Sequence, residues 1–279
     1  MIRREVGGEY FLITQDDHAK IAGELARHFG NAKFARPEPW QEVIDGVSLH
    51  DAGWPLHDDC PTLNPAGLPI DVFESTRVIA FRVWQASGDR ARAAGAYADL
   101  LVSLHNLSLS VIATTQPAGN HEKFTTSRMT EQFELNKFQH REIERQEQLR
   151  KELGMSTDRP LKFGLAFAHT DEDEDRLLFN FRLLQAMDMC SLGLCCTSVP
   201  SFRTSDVLTR VGGETIQLSL ERDGNNLRVD PWPFARQTID VRIPFKRVRA
   251  GAFKSEEEFR DAFASSERGV IEARVLPAV

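Results

Sequence analysis

Hydrophobic positions recur every three to four residues through the first two thirds of the chain, with polar residues between them. This spacing places the apolar residues on one face of a helix. It predicts helices over about 16–30, 37–51, 71–87, 89–113, 125–153 and 171–196. A loop rich in Gly and Pro follows the second helix, and the stretch "SGDR" separates the third from the fourth.

Beyond residue 200 the pattern changes to alternation of apolar and polar residues. The stretches "ETIQLSLERDGNNLRVD", "QTIDVRIPF" and "VIEARVLP" predict strands, with a short helix at "SEEEFRDAF". Near the N-terminus, "IRREV" and "EYFLI" predict a hairpin around Gly7 and Gly8, which we expect to join the same sheet. We therefore expect a mainly α fold, with a helical domain over 1–200 and a small β-rich extension over 201–279 packed on it.

The overall charge restricts the class of partner. The chain has 279 residues and a net charge of −7, whereas binding to a nucleic acid polymer relies on clustered Lys and Arg. No apolar run reaches the roughly 20 residues that cross a bilayer, and "MIRREVGGEYFLITQ" has no apolar signal core. We expect a cytoplasmic protein that acts on a small-molecule substrate without membrane or nucleic acid, and a homodimer remains open.

Two residues with metal-binding side chains extend the apolar face of the second helix. Val43, Ile44 and Val47 share this face, and His50 and Asp51 follow at the next steps of three and four residues. Burial of a carboxylate without a partner is very costly. Asp51 is therefore expected to be paired, hydrogen-bonded or bound to a metal ion.

Three other helices show the same anomaly. His18 begins the apolar face of the first helix, His105 follows Leu101 by four residues, and Asp188 follows Leu184 by four. Each residue alone is more often a satisfied core histidine or a paired aspartate. Four helices that each direct such a residue inward favour a site for a divalent transition metal such as Mn, Fe, Zn, Co or Ni, with one or two ions.

The order of these residues resembles that of the HD-domain superfamily. The resemblance covers roughly residues 15–195. The stretches "SLHDAGW" and "YADLLVSLHN" are similar to those of an uncharacterised bacterial branch that is labelled only as a domain of unknown function. Members of the superfamily are all-α metal-dependent phosphohydrolases, with a divergent branch of di-iron oxygenases. The resemblance implies an HD-domain-like helical bundle and a metal-dependent reaction.

Ligands for the metal follow from the same resemblance. It implies that His18, His50, Asp51 and Asp188 bind one ion, and that His105 serves a second ion with Asp51 as the bridge. A further histidine that is usual in two-metal members has no clear counterpart. His121 is the best candidate for that role, and a surface histidine in a loop is the alternative reading.

One position departs from the pattern of the superfamily. Many phosphohydrolases carry a phosphate-binding lysine three residues after the HD aspartate, where this chain has Trp54. Trp54 is expected either to line the substrate pocket or to fill space between helices. Positive charge for a phosphate would then come from elsewhere, first from Lys20 and Arg82. The other candidate cations are Arg77, Lys123 and Arg128.

The loop after Asp51 is expected to cross the mouth of the site and to supply acid or base groups. His57, Asp58 and Asp59 are the nearest candidates, and Asp51 is a further catalytic residue. A polar connector whose Pro and Gly residues set turns is the alternative reading of this loop. We expect metal-dependent hydrolysis of a small phosphate ester or nucleotide. The alternatives are an HD-fold iron oxygenase acting on a small molecule, and a non-catalytic protein that binds a ligand.

Overall fold

The computed structural model describes residues 1–115, 126–158, 161, 172–197, 201–204 and 206–278, without the side chains of residues 113–115 and 126–129. The helices in this part of the chain are α1 Gln15–Arg27, α2 Trp40–Leu49, α3 Pro55–Asp58, α4 Arg77–Ala94, α5 Ala96–Thr115, α6 Thr126–Glu152, α7 Glu172–Cys195 and α8 Glu256–Ser265. The strands are β1 Ile2–Val6, β2 Glu9–Ile13, β3 Ser201–Arg203, β4 Val207–Leu208, β5 Thr215–Ile216, β6 Ser219–Asp223, β7 Asn226–Asp230, β8 Ile239–Arg249 and β9 Arg268–Pro277.

Four helices form the centre of the helical layer. Helix α1 packs against α2 and α7, and α5 packs against the same two helices. Helix α4 lies on α5, and α6 contacts both of them on the outside. The centre of this arrangement is therefore bordered by α1, α2, α5 and α7, which are the helices on which the sequence places its inward histidines and aspartates.

A seven-stranded sheet forms the other layer, in the order β1-β2-β8-β9-β7-β6-β3. Strands β7 and β9 are parallel and the other neighbours are antiparallel, while β4 and β5 form a separate pair. Helix α1 packs on β8, and α7 packs on β6 and β7. One hydrophobic core joins the layers, since Leu184 of α7, Ile243 of β8 and Val275 of β9 all belong to it.

The expected mainly α fold, an HD-domain-like bundle with a small β-rich extension, is wrong. The chain forms a mixed α/β structure with a large curled sheet. The N-terminal hairpin joins this sheet through β2 and β8, as expected. Strands β8 and β9 have 11 and 10 residues, and they pair over eight positions in the middle of the sheet. The alternating stretches in the sequence predict shorter strands, and so a smaller sheet, than the structure has. In β8 the strict alternation ends after Ile243, because the next residues are only partly buried.

The break between the third and fourth predicted helices is also misplaced. Helix α4 continues through "SGDR" and ends at Gly95, whose φ of 144° favours glycine. The small residues inside α4 serve close packing instead of a turn. Ser87 Oγ donates to the Val83 carbonyl and accepts from the backbone N–H of Gly53, while Gly88 lies under the guanidinium of Arg145.

In the part of the chain that the structure describes, we find no helix with the length and apolar character needed to span a membrane.

Gly53 packs closely against the backbone of helix α4. A Cβ at this position would lie 1.9 Å from the Val83 carbonyl oxygen and 2.6 Å from the Ser87 backbone nitrogen. We predict that Gly53→Ala lowers the free energy of unfolding by about 3 kcal/mol or more, because backbone atoms must move to relieve the overlap. Denaturant unfolding monitored by circular dichroism measures the change.

Gly46→Ala in α2 is the matched control. Its Cβ would meet the Leu101 side chain at 3.1 Å and no backbone atom nearer than 3.4 Å. The gain in helix propensity, up to about 1 kcal/mol, offsets this contact. Equal effects of the two substitutions would contradict the packing described for Gly53.

Candidate metal centre

The five inward residues of the sequence pattern meet between the four central helices. His18 lies in the first turns of α1, His50 caps the C-terminus of α2 and Asp51 follows it, and His105 and Asp188 belong to α5 and α7. Two groups could each hold an ion, because their ligand atoms lie within 4.8 Å of one another. They are His18, His50 and Asp51, and His50, His105 and Asp188.

His50 lies at the centre of the cluster and belongs to both groups. Its Nδ1 lies 2.7 Å from the carbonyl oxygen of Val47, an acceptor, so Nδ1 carries the proton. The opposite nitrogen, Nε2, is buried without a hydrogen-bond partner among the described residues. It lies 3.5 Å from Asp188 Oδ1 and 3.7 Å from Asp51 Oδ2. An imidazole held in this way directs Nε2 toward the two carboxylates, as in many metal sites.

His18 is oriented by the same helix that carries Asp188. Its Nδ1 lies 2.6 Å from Ser191 Oγ, and its Nε2 lies 2.9 Å from Asp188 Oδ1. Because the Ser191 hydroxyl donates to the carbonyl oxygen of Asp188, its oxygen accepts from His18 Nδ1. This contact fixes the ring so that Nε2 faces the cluster.

Asp51 is held by the tryptophan that stands at the position of the expected lysine. The indole Nε1 of Trp54 donates to Asp51 Oδ1 over 3.0 Å, which leaves Oδ2 toward His50. Burial raises the pKa of Asp51, although the neighbouring imidazoles of His50 and His18 oppose this change. Trp54 itself is 3% exposed and belongs to an aromatic cluster against α4.

Electrostatics at the cluster favour a bound cation. Burial alone would raise the pKa of Asp188, but the hydrogen bond from His18 and the nearby His50 hold it well below its usual range. Burial lowers the pKa of His50, yet the charges of Asp51 and Asp188 outweigh it and raise the pKa to about 9. The two carboxylates therefore stabilise positive charge at the position that His50 Nε2 faces.

His105 provides the second nitrogen of the cluster that lacks a partner. Its ring centroid lies 5.0 Å from that of His50, and its Nε2 lies 3.8 Å from Asp188 Oδ2. Its Nδ1 is buried without a hydrogen bond among the described residues. Burial lowers the pKa of His105 to about 3, so its imidazole is neutral at pH 7 and is a competent metal ligand.

The donor set fits a divalent transition metal. Ligands at about 2.0–2.2 Å from an ion lie roughly 3–4 Å apart, close to the separations in this cluster. Three imidazoles and two carboxylates match the ligand types of such ions. The unpartnered Nε2 of His50 is the observation that a bound ion would explain.

A cavity of about 270 Å³ opens onto the cluster. Four of the five candidate ligands line it, namely His18, Asp51, His105 and Asp188, and so does Trp54. The fifth ligand, His50, lies fully buried behind them. The predicted ligands and the predicted pocket tryptophan are thus brought together in one place.

The other predicted pocket residues lie elsewhere. Lys20 is exposed and pairs with Asp16 at 2.6 Å, and it is not among the described residues that line the cavity. Arg82 lines a separate surface cleft between α4 and α6. Among the alternative cations, Arg77 does line the cavity.

The predicted acid and base of the loop after Trp54 are not among the described residues that line the cavity. Asp58 accepts hydrogen bonds from the amino group of Met1 at 2.8 Å and from the backbone N–H of Gln15 at 2.9 Å. His57 is buried beside Trp54, and its Nε2 has no hydrogen-bond partner among the described residues. Part of the wall is formed by Val72 and Phe73 of the short 3₁₀ turn Val72–Glu74.

Three candidates cannot be placed. His121 and Lys123, together with the side chain of Arg128, lie outside the described residues.

Sequence reasoning missed two residues that support the site. Ser191 orients His18, and Gln15 lines the cavity with its side chain 2% exposed. The helical spacing could have indicated both residues, since Ser191 follows Asp188 by three residues and Gln15 precedes His18 by three. Residues at that spacing share a face of a helix.

Comparison with known proteins gives a family without an assigned activity. The profile of a family described as "Protein of unknown function (DUF3891)" matches residues 1–250. The chain belongs to this family. The DUF3891 match includes all five candidate ligands and strands β1 to β8, and it ends before α8 and β9. No curated protein and no solved structure matches the chain.

The contacts of Asp58 predict a structural role for this residue. Asp58→Ala leaves the buried N–H of Gln15 and the Met1 amino group without their acceptor. We expect the free energy of unfolding to fall by about 3 kcal/mol. The neighbouring Asp59 is exposed, and Asp59→Ala should change it by no more than about 0.5 kcal/mol. Chemical denaturation of both variants measures the difference, and an Asp58→Ala protein as stable as the wild type would contradict this role.

Proposed function

We propose that this protein binds a divalent transition metal through His18, His50, Asp51 and Asp188 and uses it to hydrolyse a small molecule. His105 and Asp188 would serve a second ion with Asp51 as the bridge, since His50 offers a single lone pair and binds one ion only. The observation that carries the proposal is the buried Nε2 of His50, which has no hydrogen-bond partner among the described residues and faces two carboxylates.

The protein side chains prepare the site for such a reaction. When bound, a divalent metal lowers the pKa of a coordinated water toward about 7 and polarises the bond to be cleaved. Val47 and Ser191 fix the ring orientations of His50 and His18, so both imidazoles present Nε2. Trp54 holds Asp51 and closes one side of the cavity, which limits access of bulk water to the cluster.

The resemblance to the HD-domain superfamily supports this proposal for the ligand-bearing helices alone. The order of His18, His50-Asp51 and Asp188 along α1, α2 and α7 is the feature shared with that superfamily. Hydrolysis of a phosphate ester or nucleotide is the reaction that the resemblance implies. The sheet and its long strands lie outside the resemblance.

An iron oxygenase is the second candidate. The observation that favours it is the second group of possible ligands, formed by His50, His105 and Asp188. Two adjacent ions bridged by a carboxylate of the cluster would suit a di-iron centre. A metal-binding protein without turnover is the third possibility, and the experiments below distinguish it.

Elemental analysis of the purified protein tests the metal site. We predict at least one equivalent of Mn, Fe, Zn, Co or Ni per wild-type chain after the metal is supplied, and a loss of most of it in His50→Ala and Asp188→Ala. His140 is 76% exposed on α6, so His140→Ala is the matched control and should keep the wild-type content. A wild-type chain without stoichiometric metal would refute the proposal.

The reaction is tested on the metal-loaded protein. We predict that Mn- or Zn-loaded protein cleaves members of a panel of small phosphate and carboxylic esters, and that Asp51→Asn lowers kcat/KM by at least 100-fold. A coloured, iron-loaded protein that consumes oxygen and leaves these esters intact would favour the oxygenase. Stoichiometric metal with neither activity would indicate the non-catalytic alternative.

A further inference from the structure

The walls of the cavity over the metal cluster are mainly apolar. The side chains above the candidate ligands come from the segment after α2, from the turn before α4, and from α4, α5 and α7. They are Trp54, Val72, Phe81, Trp84, Leu109 and Leu192. Binding cavities of this composition take up apolar ligand surface and use a small number of polar groups for orientation.

Positive charge is scarce around this cavity. Arg77 is the one Lys or Arg among the described residues that line it. Asp51 and Asp188 contribute two carboxylates at the floor, and a divalent metal would do little more than balance them. Phosphate groups are usually bound by several cations. A highly charged nucleotide therefore fits this cavity poorly.

One polar group on the wall lacks a partner. The Oε1 atom of Gln15 is buried without a hydrogen bond among the described residues, and its side chain lines the cavity. Gln15 lies one helical turn before His18, so its amide stands beside the cluster. A buried amide oxygen without a donor costs free energy. A hydroxyl or N–H group on a bound molecule would supply that donor.

The edge of the cavity is apolar as well. Phe73 is 69% exposed and Ile112 is 50% exposed, and both line the cavity. Exposed aromatic and aliphatic side chains at an opening reduce the cost of transferring an apolar molecule from water. The volume of about 270 Å³ lies just below the usual range for drug-sized ligands, roughly 300–1,000 Å³. It accommodates a body of about one ring.

We propose that the substrate of this site is a small molecule with an apolar body of about one ring and one uncharged polar group that carries a hydrogen-bond donor. The polar group meets the cluster and donates to Gln15, while the body packs between Trp84 and Leu109. The inference rests on the proposed metal site and narrows its substrate away from nucleotides.

Hydroxamic acids provide the probes, because they bind metal ions, carry hydrogen-bond donors and are largely uncharged at pH 7. The metal content of the protein is measured first, and benzohydroxamic acid, acetohydroxamic acid and adenosine monophosphate are then titrated by calorimetry. We expect benzohydroxamic acid to bind at least tenfold more tightly than acetohydroxamic acid. Adenosine monophosphate should bind no more tightly than inorganic phosphate.

Variants assign the preference to this cavity. Leu109→Asn should reduce the ratio of the two hydroxamic acid affinities to below threefold without loss of metal. Leu56 is exposed and is not among the described lining residues, so Leu56→Asn should keep the ratio. Gln15→Leu should weaken both hydroxamic acids about fivefold, the equivalent of about 1 kcal/mol for one hydrogen bond.

The possible outcomes separate the two proposals. A protein that binds no metal overturns both. A metal-loaded protein that binds the two hydroxamic acids equally, or that binds adenosine monophosphate more tightly than benzohydroxamic acid, overturns the inference about the substrate and leaves the metal site standing. An unchanged preference in Leu109→Asn would overturn the assignment to this cavity.

Discussion

Two carboxylates and three imidazoles lie together in the interior of this protein, and the surrounding structure compensates for the cost of burying them. An isolated buried carboxylate would be neutralised by a shift of its pKa. Here Asp188 stays ionised because His18 and His50 face it. This mutual compensation requires that three elements keep fixed relative positions, namely α1, α7 and the C-terminal end of α2. Several contacts in the fold hold them in place.

The sheet provides one of these contacts. Arg222 on β6 donates to the carbonyl oxygens of Gly193, Leu194 and Cys196 at the C-terminus of α7. These carbonyls would otherwise lack partners at the end of the helix. Because α7 is held at its end by β6 and α1 packs on β8, the relative position of Asp188 and His18 depends on one continuous sheet. The β layer therefore stabilises the site although it contributes none of the candidate ligands.

The sequence predicts the local elements and the ligand cluster better than it predicts the architecture. His18, His50 and Asp188 stand out because a polar residue at a helical spacing on an apolar face is a local signal. The size of the sheet is a non-local property, since β2 pairs with β8 across more than 230 residues and β7 pairs with β9 in parallel. Likewise, nothing in the sequence around Asp58 indicates that its partners are Gln15 and Met1, because those contacts depend on how α3 packs against α1.

Asp58 also connects two cavities that otherwise lie apart. Asp58 borders an outer cleft of about 480 Å³ between the sheet, α3 and α8, while its Oδ2 accepts from the backbone of Gln15, which also borders the cavity over the candidate ligands. Thr14 and Asp17 at the start of α1 border the same outer cleft, while Gln15 and His18 border the inner cavity. The first turn of α1, which Asp58 holds, thus forms part of the wall of both cavities.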